Sequence, residues 1–574
     1  MSNFLSQYKR WLESDKVSKE DKDLLASIQN EDEIKARFSE HMTFGTGGLR
    51  STMGPGTARM NVYTVAHTTE AIARLIIEEK GEQRGVVIAY DSRNNSELFA
   101  KTAASVLAAN GIKVFIFDSV RPTPELSFAL LELGCIAGIN ITASHNPKEY
   151  NGYKVYWKDG AQLPVNHAQT VTDKADSIDI FDDVKITDFD ESIKSGIIEV
   201  IGDEIDQRYL ATLEKQIIDP SAIKRAADTL KVVYTPLHGA GYRLVPEILS
   251  KVGVKHLYTV PEQMILDGNF PTVDKPNPEY PEVFTLSKKI ANEIGSDLLI
   301  ATDPDADRLA VTVRTDDGDF ITLSGNQVGL LLIEYIISAY ETNGTMPVNP
   351  FVVKSLVSSK LADIICKAHG VTLYNVLTGF KYIGEMINIH DGKDGSYIFG
   401  FEESCGYLKG TYARDKDGIV AAMLICEMAA KYSLEGKTLY TALNELYAKY
   451  GYSFEKTTEI TTEGIDAKEK QSALMAGFKQ NPPLRFGEFR TEKLCDLKAR
   501  KYTNLITGDI ELSIFPAANV LCFEIENGDT VIVRPSGTEP KVKFYYLITA
   551  STLDQAKCKF ESYKKTVDEI TASI

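Results

Sequence analysis

The sequence predicts an α/β fold in several domains, followed by a smaller α+β domain. Three observations carry this. Apolar runs of strand length alternate with helical stretches in three successive sets. Each set runs out into a polar segment, at Ser144, Asp303 and Glu402. The 574-residue chain has room for roughly four domains.

Residues 1–40 read as charged helices packing on the first domain. Val86 to Tyr90 is a strand, and Asn95 or Ser96 caps a helix running to Asn110, where Gly111 ends it. A strand at 113–117, a helix at 124–133 closed by Gly134, and the apolar run 135–141 follow. This β-α-β-α-β order predicts a largely parallel sheet with its site at the strand C-termini. The rhythm recurs with strands at 232–234 and 298–300 flanking helical stretches 243–251 and 281–294. It recurs again with a strand at 351–353, a helix to Ala368 and a strand at 397–399. After Gly451 the order changes. Strand-like 519–525 and 529–534 flank the turn Glu526-Asn527-Gly528-Asp529, and a strand at 541–547 and a helix from Thr552 follow. That is α+β with a central hairpin. The expected divisions are 1–205, 206–325, 326–450 and 451–574.

Hydrophobic residues make up 43% and charged residues 25%, as in soluble globular proteins. The net charge of −17 argues against a broad nucleic-acid or anionic-membrane surface, while leaving room for a local basic pocket. The seven cysteines are scattered without a C-x-x-C pair, which reads as reduced cytoplasmic thiols. No signal peptide is visible, and the longest apolar run, 328–333, stops at Glu334, too short to span a membrane.

Ser144, in Thr142-Ala143-Ser144-His145-Asn146-Pro147, follows the apolar run 135–141 and is a candidate nucleophile. Alone it is more often a turn residue. Asp303-Pro304-Asp305-Ala306-Asp307-Arg308 can turn three carboxylates one way, and they repel unless a cation sits among them. A calcium EF-hand would need Gly and Glu where Arg308 and Arg314 stand, so Mg²⁺ fits better. Arg534-Pro535-Ser536-Gly537-Thr538-Glu539-Pro540 offers a guanidinium, hydroxyls and a glycine to an anion, with Lys541 and Lys543 on one strand face. Glu402, Glu403 and Ser404 suit sugar hydroxyls, although Glu-Glu is usually solvent-facing. Arg414-Asp415-Lys416-Asp417-Gly418 is a charge run and Thr46-Gly47-Gly48-Leu49-Arg50 a glycine-rich turn, each weak alone. The chain has neither G-x-x-x-x-G-K-[ST] nor the kinase signature set, which excludes the usual nucleotide sites. Together the parts suit a reversible phosphoryl shuttle on a sugar phosphate.

Four motifs stand in one order: TASHNP at 142–147, DPDADR at 303–308, GFEES at 400–404 and RPSGTEP at 534–540. TGGLR at 46–50, NGYKVY at 151–156, DGNFPTVDKPNPE at 267–279 and RDKDG at 414–418 accompany them. On these the chain resembles the α-D-phosphohexomutase superfamily, on the side of its phosphoglucomutase members, over essentially its whole length. The resemblance implies three related α/β domains and a smaller α+β domain around one central cleft. In order they are the phosphoserine, metal-binding, sugar-binding and phosphate-clamp domains. It implies that Ser144 is the phosphoserine and joins Asp303, Asp305 and Asp307 around one Mg²⁺. Lys416 is the implied acid/base, with His145, Lys154 and Arg50 beside the reacting group. Arg308, Gly379, Glu402 and Ser404 are implied sugar-side contacts, and Arg534, Ser536, Gly537, Thr538 and Lys543 the clamp for the resting phosphate.

Two positions depart from the family pattern: Ala306 and Phe401 each stand where Gly is common. No His directly follows the sugar loop. The last two differences bear on gluco versus manno or pentose preference.

The implied reaction interconverts glucose 1-phosphate and glucose 6-phosphate through glucose 1,6-bisphosphate. Phosphomannomutase and phosphopentomutase are the alternatives within the family. A Ser-His hydrolase is disfavoured, because no G-x-S-x-G surrounds Ser144 and adjacent residues rarely place His against the Ser hydroxyl. A non-catalytic sugar-phosphate binder is disfavoured by retention of Ser144 with all three aspartates. Lys416 can act as a base if neighbouring cations and partial burial lower its pKa. No obligate protein partner is evident. Phosphate binding is expected to draw the fourth domain inwards about a hinge near 435–455.

Overall fold

A computed structural model describes residues 3–42, 44–45, 47–462, 467–536 and 541–572. Its first strands are β1 (Gly48–Thr52), β2 (Val86–Tyr90), β3 (Val114–Phe117), β4 (Ala137–Ile141), β5 (Tyr150–Trp157) and β6 (Ile198–Ile201). They form one sheet in the order β1-β5-β4-β2-β3-β6. The strands β4, β2, β3 and β6 are parallel, and helices Ser96–Ala109 and Thr123–Glu132 pack on them. The continuous apolar runs of β2 and β4 are buried along their whole length, as a sheet covered on both faces requires. The β1-β5 edge is antiparallel, so the sheet is mixed. Asn151-Gly152 has the composition of a turn but lies inside β5. A Cβ on Gly152 would sit 2.4 Å from the Thr142 carbonyl, so the close strand approach demands glycine.

The second group is β7 (Lys231–Thr235), β8 (His256–Thr259), β9 (Leu298–Thr302) and β10 (Leu309–Arg314), ordered β10-β9-β7-β8, with β7 parallel to both neighbours. The chain continues into β11 (Phe320–Leu323). The third sheet is β13-β12-β14-β15, from β12 (Pro350–Ser355), β13 (Thr372–Val376), β14 (Ser396–Glu402) and β15 (Gly406–Leu408). Here β12 is parallel to β13 and β14, and β15 closes a hairpin on β14.

The C-terminal sheet is antiparallel. It contains β16 (Tyr452–Thr461), β17 (Arg485–Phe486), β18 (Phe489–Asp496), β19 (Lys501–Asn504), β20 (Ile510–Leu512), β21 (Leu521–Ile525), β22 (Thr530–Pro535) and β23 (Lys541–Ala550). The order is β16-β23-β22-β21-β18-β19-β20, with β17 on β18. Helix Leu553–Ala572 buries Ala556, Phe560, Tyr563 and Val567 in that sheet's core.

The chain forms two compact units, Met1–Thr312 with Gly410–Ala430, and Val313–Lys409 with Lys431–Ile574. Within the second unit, Val357 and Leu377 share an apolar cluster with Leu497, Ile532, Tyr545 and Leu547. The third and fourth sheets therefore have a common core. Residues 435–455, where the sequence argument sets a hinge, include a packed helix. Helix Leu439–Tyr450 buries Leu439, Leu443, Leu446 and Tyr447, and Lys449 and Tyr450 bond to Glu334. Among the described residues no helix is long and apolar enough to cross a membrane.

The N-terminal helices Asn3–Glu13, Lys19–Ser27 and Glu31–Phe38 pack through Trp11, whose ring meets Phe38, Tyr63 and Phe181 edge-on. Arg10 bonds Asp179 at 2.6 Å and lowers its carboxyl to about 2. A lowered carboxyl stabilises above its unfolded pKa and loses that contribution as pH falls through the folded value. Because both side chains are partly exposed, the pair is worth at most about 1 kcal/mol. Asp179→Asn should speed hydrogen exchange in helix Asn3–Glu13 at neutral pH, and the difference from wild type should vanish as pH approaches about 2.

Candidate active site

In the first unit the turn after β4 holds Ser144 at φ +52°, a left-handed conformation that costs a side-chain-bearing residue about 1–2 kcal/mol. The turn is built locally. Thr142 Oγ1 donates to Asp91 Oδ2 at 2.6 Å and accepts from the Ser144 backbone N–H at 2.8 Å. Ser144 is buried, and its Oγ donates to Asp303 Oδ2 at 2.8 Å. It also lies 3.1 Å from His145 Nδ1. The sequence argument that neighbours rarely meet in this way fails here; we attribute that to the positive φ, which turns the two side chains together. Desolvation first, then Arg308 and Arg50, push the His145 imidazole well below its ordinary range, so the ring is neutral. Asp303 is the nearer partner of the hydroxyl. Arg50, on β1, donates to Asn146 Oδ1 at 3.0 Å.

The loop after β9 brings Asp303, Asp305 and Asp307 together, with one oxygen from each within 4.8 Å of the others, all buried. Thr123 fixes Asp305 by two bonds, backbone N–H to its carbonyl at 2.9 Å and Oγ1 to Oδ2 at 2.7 Å. Lys154 Nζ lies 2.7 Å from Asp305 Oδ2 and 3.4 Å from Asp307 Oδ2. Lys416 Nζ lies 2.8 Å from Asp307 Oδ2 and 3.3 Å from Asp415 Oδ1. Two lysines thus supply cations that the carboxylate repulsion requires. Burial pushes Asp303 well up, and Asp305 and Asp307 add to this. Burial also acts on Asp305 and Asp307, but Lys154 outweighs it at the first, and Lys416 with Lys154 at the second, so both are lowered. Burial works to lower Lys154, and Asp305 and Asp307 overcome it and raise it. Oδ1 of Asp305 and of Asp307 is buried without a hydrogen-bond donor. Hard carboxylate oxygens without a hydrogen-bond donor fit a divalent cation.

Ala306 adopts φ +50°, which explains why glycine suits this position. Asp417 caps helix Gly418–Ser433 through the N–H groups of Ile419 and Val420 and accepts from Tyr209 and Tyr412. Gly418 donates to the Ala306 carbonyl, and a Cβ there would lie 2.7 Å from that oxygen. Asp415 is held by Tyr156 at 2.6 Å and Gln162 at 3.3 Å. Lys416 is contacted by two carboxylates, and Lys154, which shares Asp307 with it, is a neighbouring cation.

In the second unit Glu402 Oε1 accepts from the Gly379 N–H at 2.6 Å, joining two residues expected on the sugar side. Glu403 turns away, to Ser355 Oγ at 2.9 Å. Ser404 lies in the tight turn between β14 and β15. Phe401 points into the core, stacked on Phe399 and filling the space a Cβ on Gly329 would need, so it is no sugar contact. Arg534 and Lys543 are directly opposed across β22 and β23. Like charges in that position are unfavourable, which suits an anion between them. Arg534 Nη1 is 3.5 Å from Tyr545 Oη. Lys541, expected beside Lys543 as added charge, pairs with Glu459 at 3.0 Å. Ser536 donates its N–H to the Lys541 carbonyl, while Gly537 and Thr538 lie outside the described residues, as does Thr46. Arg308, expected on the sugar side, bonds Glu279 at 2.8 Å. Asp91, Arg93 and Thr123 were missed by sequence reasoning because the groups they hold in the site lie far along the chain.

A buried serine beside a carboxylate cradle at strand C-termini fits phosphoryl transfer, with a cradle able to hold a divalent cation. Family profiles for phosphoglucomutase/phosphomannomutase alpha/beta/alpha domains I, II and III match residues 41–180, 207–318 and 324–450. The chain is 36% identical over 538 residues to a phosphoglucomutase of Staphylococcus saprophyticus, covering 93% of this chain and 95% of that one. It is 35% identical over 526 residues to a phosphoglucomutase of Staphylococcus epidermidis, with 92% and 94% covered. The crystal structure of parafusin, a phosphoglucomutase from Paramecium, shares the fold at TM-score 0.68 and 16% identity, covering 93% and 96%. The chain belongs to the phosphoglucomutase/phosphomannomutase family. It is a phosphohexomutase, an isomerase of the intramolecular phosphotransferase class.

Proposed function

We propose that this chain interconverts glucose 1-phosphate and glucose 6-phosphate through phospho-Ser144 and a glucose 1,6-bisphosphate intermediate. The supporting observation is Ser144 Oγ set 2.8 Å from Asp303, beside the bare oxygens of Asp305 and Asp307. The sugar hydroxyl attacks phosphorus, the bond to Ser144 Oγ breaks, and the hydroxyl proton passes to a base. Lys416 is the side chain proposed to hold and return that proton, aimed by Asp415. Asp303, Asp305 and Asp307 would hold one Mg²⁺ per chain with an oxygen of the Ser144 phosphate. When bound, it neutralises charge on the moving group. His145, neutral, bonds near the serine, and Lys154 and Arg50 add positive charge. Glu402, Ser404 and the Gly379 loop are proposed to read sugar hydroxyls, and Arg308 is proposed as a further substrate contact. The bisphosphate then turns over and returns its other phosphate to Ser144.

Arg534, with Ser536, Gly537, Thr538 and Lys543, is proposed to hold whichever phosphate is at rest. A charge-assisted contact of this kind is worth about 1.5–3 kcal/mol. Arg534→Ala should therefore raise KM for glucose 1-phosphate roughly 10- to 100-fold, and make the enzyme need more added bisphosphate to stay phosphorylated. Unchanged kinetics would remove the clamp from the mechanism. A coupled assay on glucose, mannose, ribose and deoxyribose 1-phosphates tests the substrate. Preference for mannose or a pentose would replace glucose in this reading.

A further inference from the structure

Arg93 follows β2, and its side chain is fully buried. Its guanidinium donates to four backbone carbonyls of the nucleophile loop. Nη2 reaches Ser144 O and Asn146 O, each at 2.5 Å. Nη1 reaches Pro147 O at 2.9 Å and Tyr150 O at 3.2 Å. Nε lies 3.3 Å from Asp91 Oδ2, and the Arg93 N–H donates to Asp91 Oδ1 at 2.9 Å. The same Asp91 receives Thr142 Oγ1, so one carboxylate ties the guanidinium to the strand end that feeds Ser144.

The other face of the guanidinium is covered from the second sheet's side. The Phe270 ring lies 5.1 Å from it, an arrangement that favours a planar cation. Phe270 is buried and has φ +48°. Its segment comes so close that a Cβ on Gly268 would lie 2.3 Å from Asn94 N, and Asn94 Nδ2 donates to Asn269 Oδ1 at 3.1 Å.

A left-handed, side-chain-bearing residue persists only where its surroundings over-determine it. We propose that Arg93, gripped between Asp91 and Phe270, is the positioning residue that holds the Ser144 backbone in that state and aims Oγ at Asp303. The segment at 267–270 thereby controls a nucleophile more than a hundred residues away in sequence. Arg93 touches no reacting atom and acts through carbonyls on both legs of the loop. This rests on the mutase reading, in which Ser144 carries the phosphoryl group. Lysine cannot substitute, because its three donors radiate from one point and cannot span four carbonyls as a planar fork does.

Arg93→Lys and Phe270→Leu test this in the full chain, with circular dichroism and a thermal melt for folding. A misplacement of about 1 Å costs roughly 100-fold, so Arg93→Lys should lose that much kcat while KM for glucose 1-phosphate stays within about twofold. Phosphorylation of Ser144 by glucose 1,6-bisphosphate, followed by intact mass, should slow in step. Phe270→Leu should show the same split to a smaller degree, and it carries the test alone if Arg93→Lys does not fold. Wild-type kcat in a folded variant, or a rise in KM with kcat intact, would overturn the positioning role. Ser144→Ala measured alongside separates the two readings. If it stays active, the phosphoserine assignment fails; if it is dead while Arg93→Lys and Phe270→Leu are normal, only the role of Arg93 fails.

Discussion

Ser144→Ala should abolish turnover, lowering kcat by roughly four orders of magnitude or more, because the hydroxyl is the covalent acceptor. The fold should barely respond. Alanine keeps the Cβ at φ +52°, so backbone strain is unchanged, and the losses are the hydrogen bonds to Asp303 and His145, each worth about 1 kcal/mol. Ser144→Gly gives an internal control: glycine adopts this φ without penalty, so it relieves strain and should be equally inactive. After incubation with glucose 1,6-bisphosphate, intact mass should show one phosphate on the wild type and none on either variant. Full activity in either would sink the assignment.

The second large effect is at the metal cradle. Asp305→Asn keeps the side-chain shape but removes a charge and exchanges one carboxylate oxygen for an amide NH2. Several kcal/mol of charge neutralisation are at stake, so kcat should fall roughly 100-fold or more, with a weaker response to added Mg²⁺. Lys154 retains Asp307 at 3.4 Å and Thr123 retains its backbone bond to residue 305, so the thermal midpoint should move little. A wild-type enzyme that stays fully active in excess chelator would show the metal role to be wrong.

What the sequence made readable was local. Strand-length apolar runs such as β2 and β4 declare themselves, and Asp303, Asp305 and Asp307 share a loop whose alternation turns them one way. What it hid was pairing at a distance. β5 carries Asn151-Gly152, a turn signature whose real cause is the approach of Thr142. β16 and β20 carry polar or exposed residues along much of their length, so no apolar run marks them. Arg93 and Thr123 act by bonding backbone groups and side chains tens of residues or more away, and no spacing rule reports that. The contact between Ser144 and His145 was misjudged because the backbone conformation there departs from the usual one. The surroundings of Lys416 were legible only in part: Asp415 is its neighbour in sequence, while Asp307 and Lys154 come from distant segments.

Lys154 and Lys416, lodged among the aspartates, have a bearing on how the molecule comes into being. Many small metalloproteins stay unfolded until an ion gathers their ligands. This chain carries two ammonium groups that balance Asp305 and Asp307 from within, so the loop's shape rests on ion pairs that the chain itself supplies.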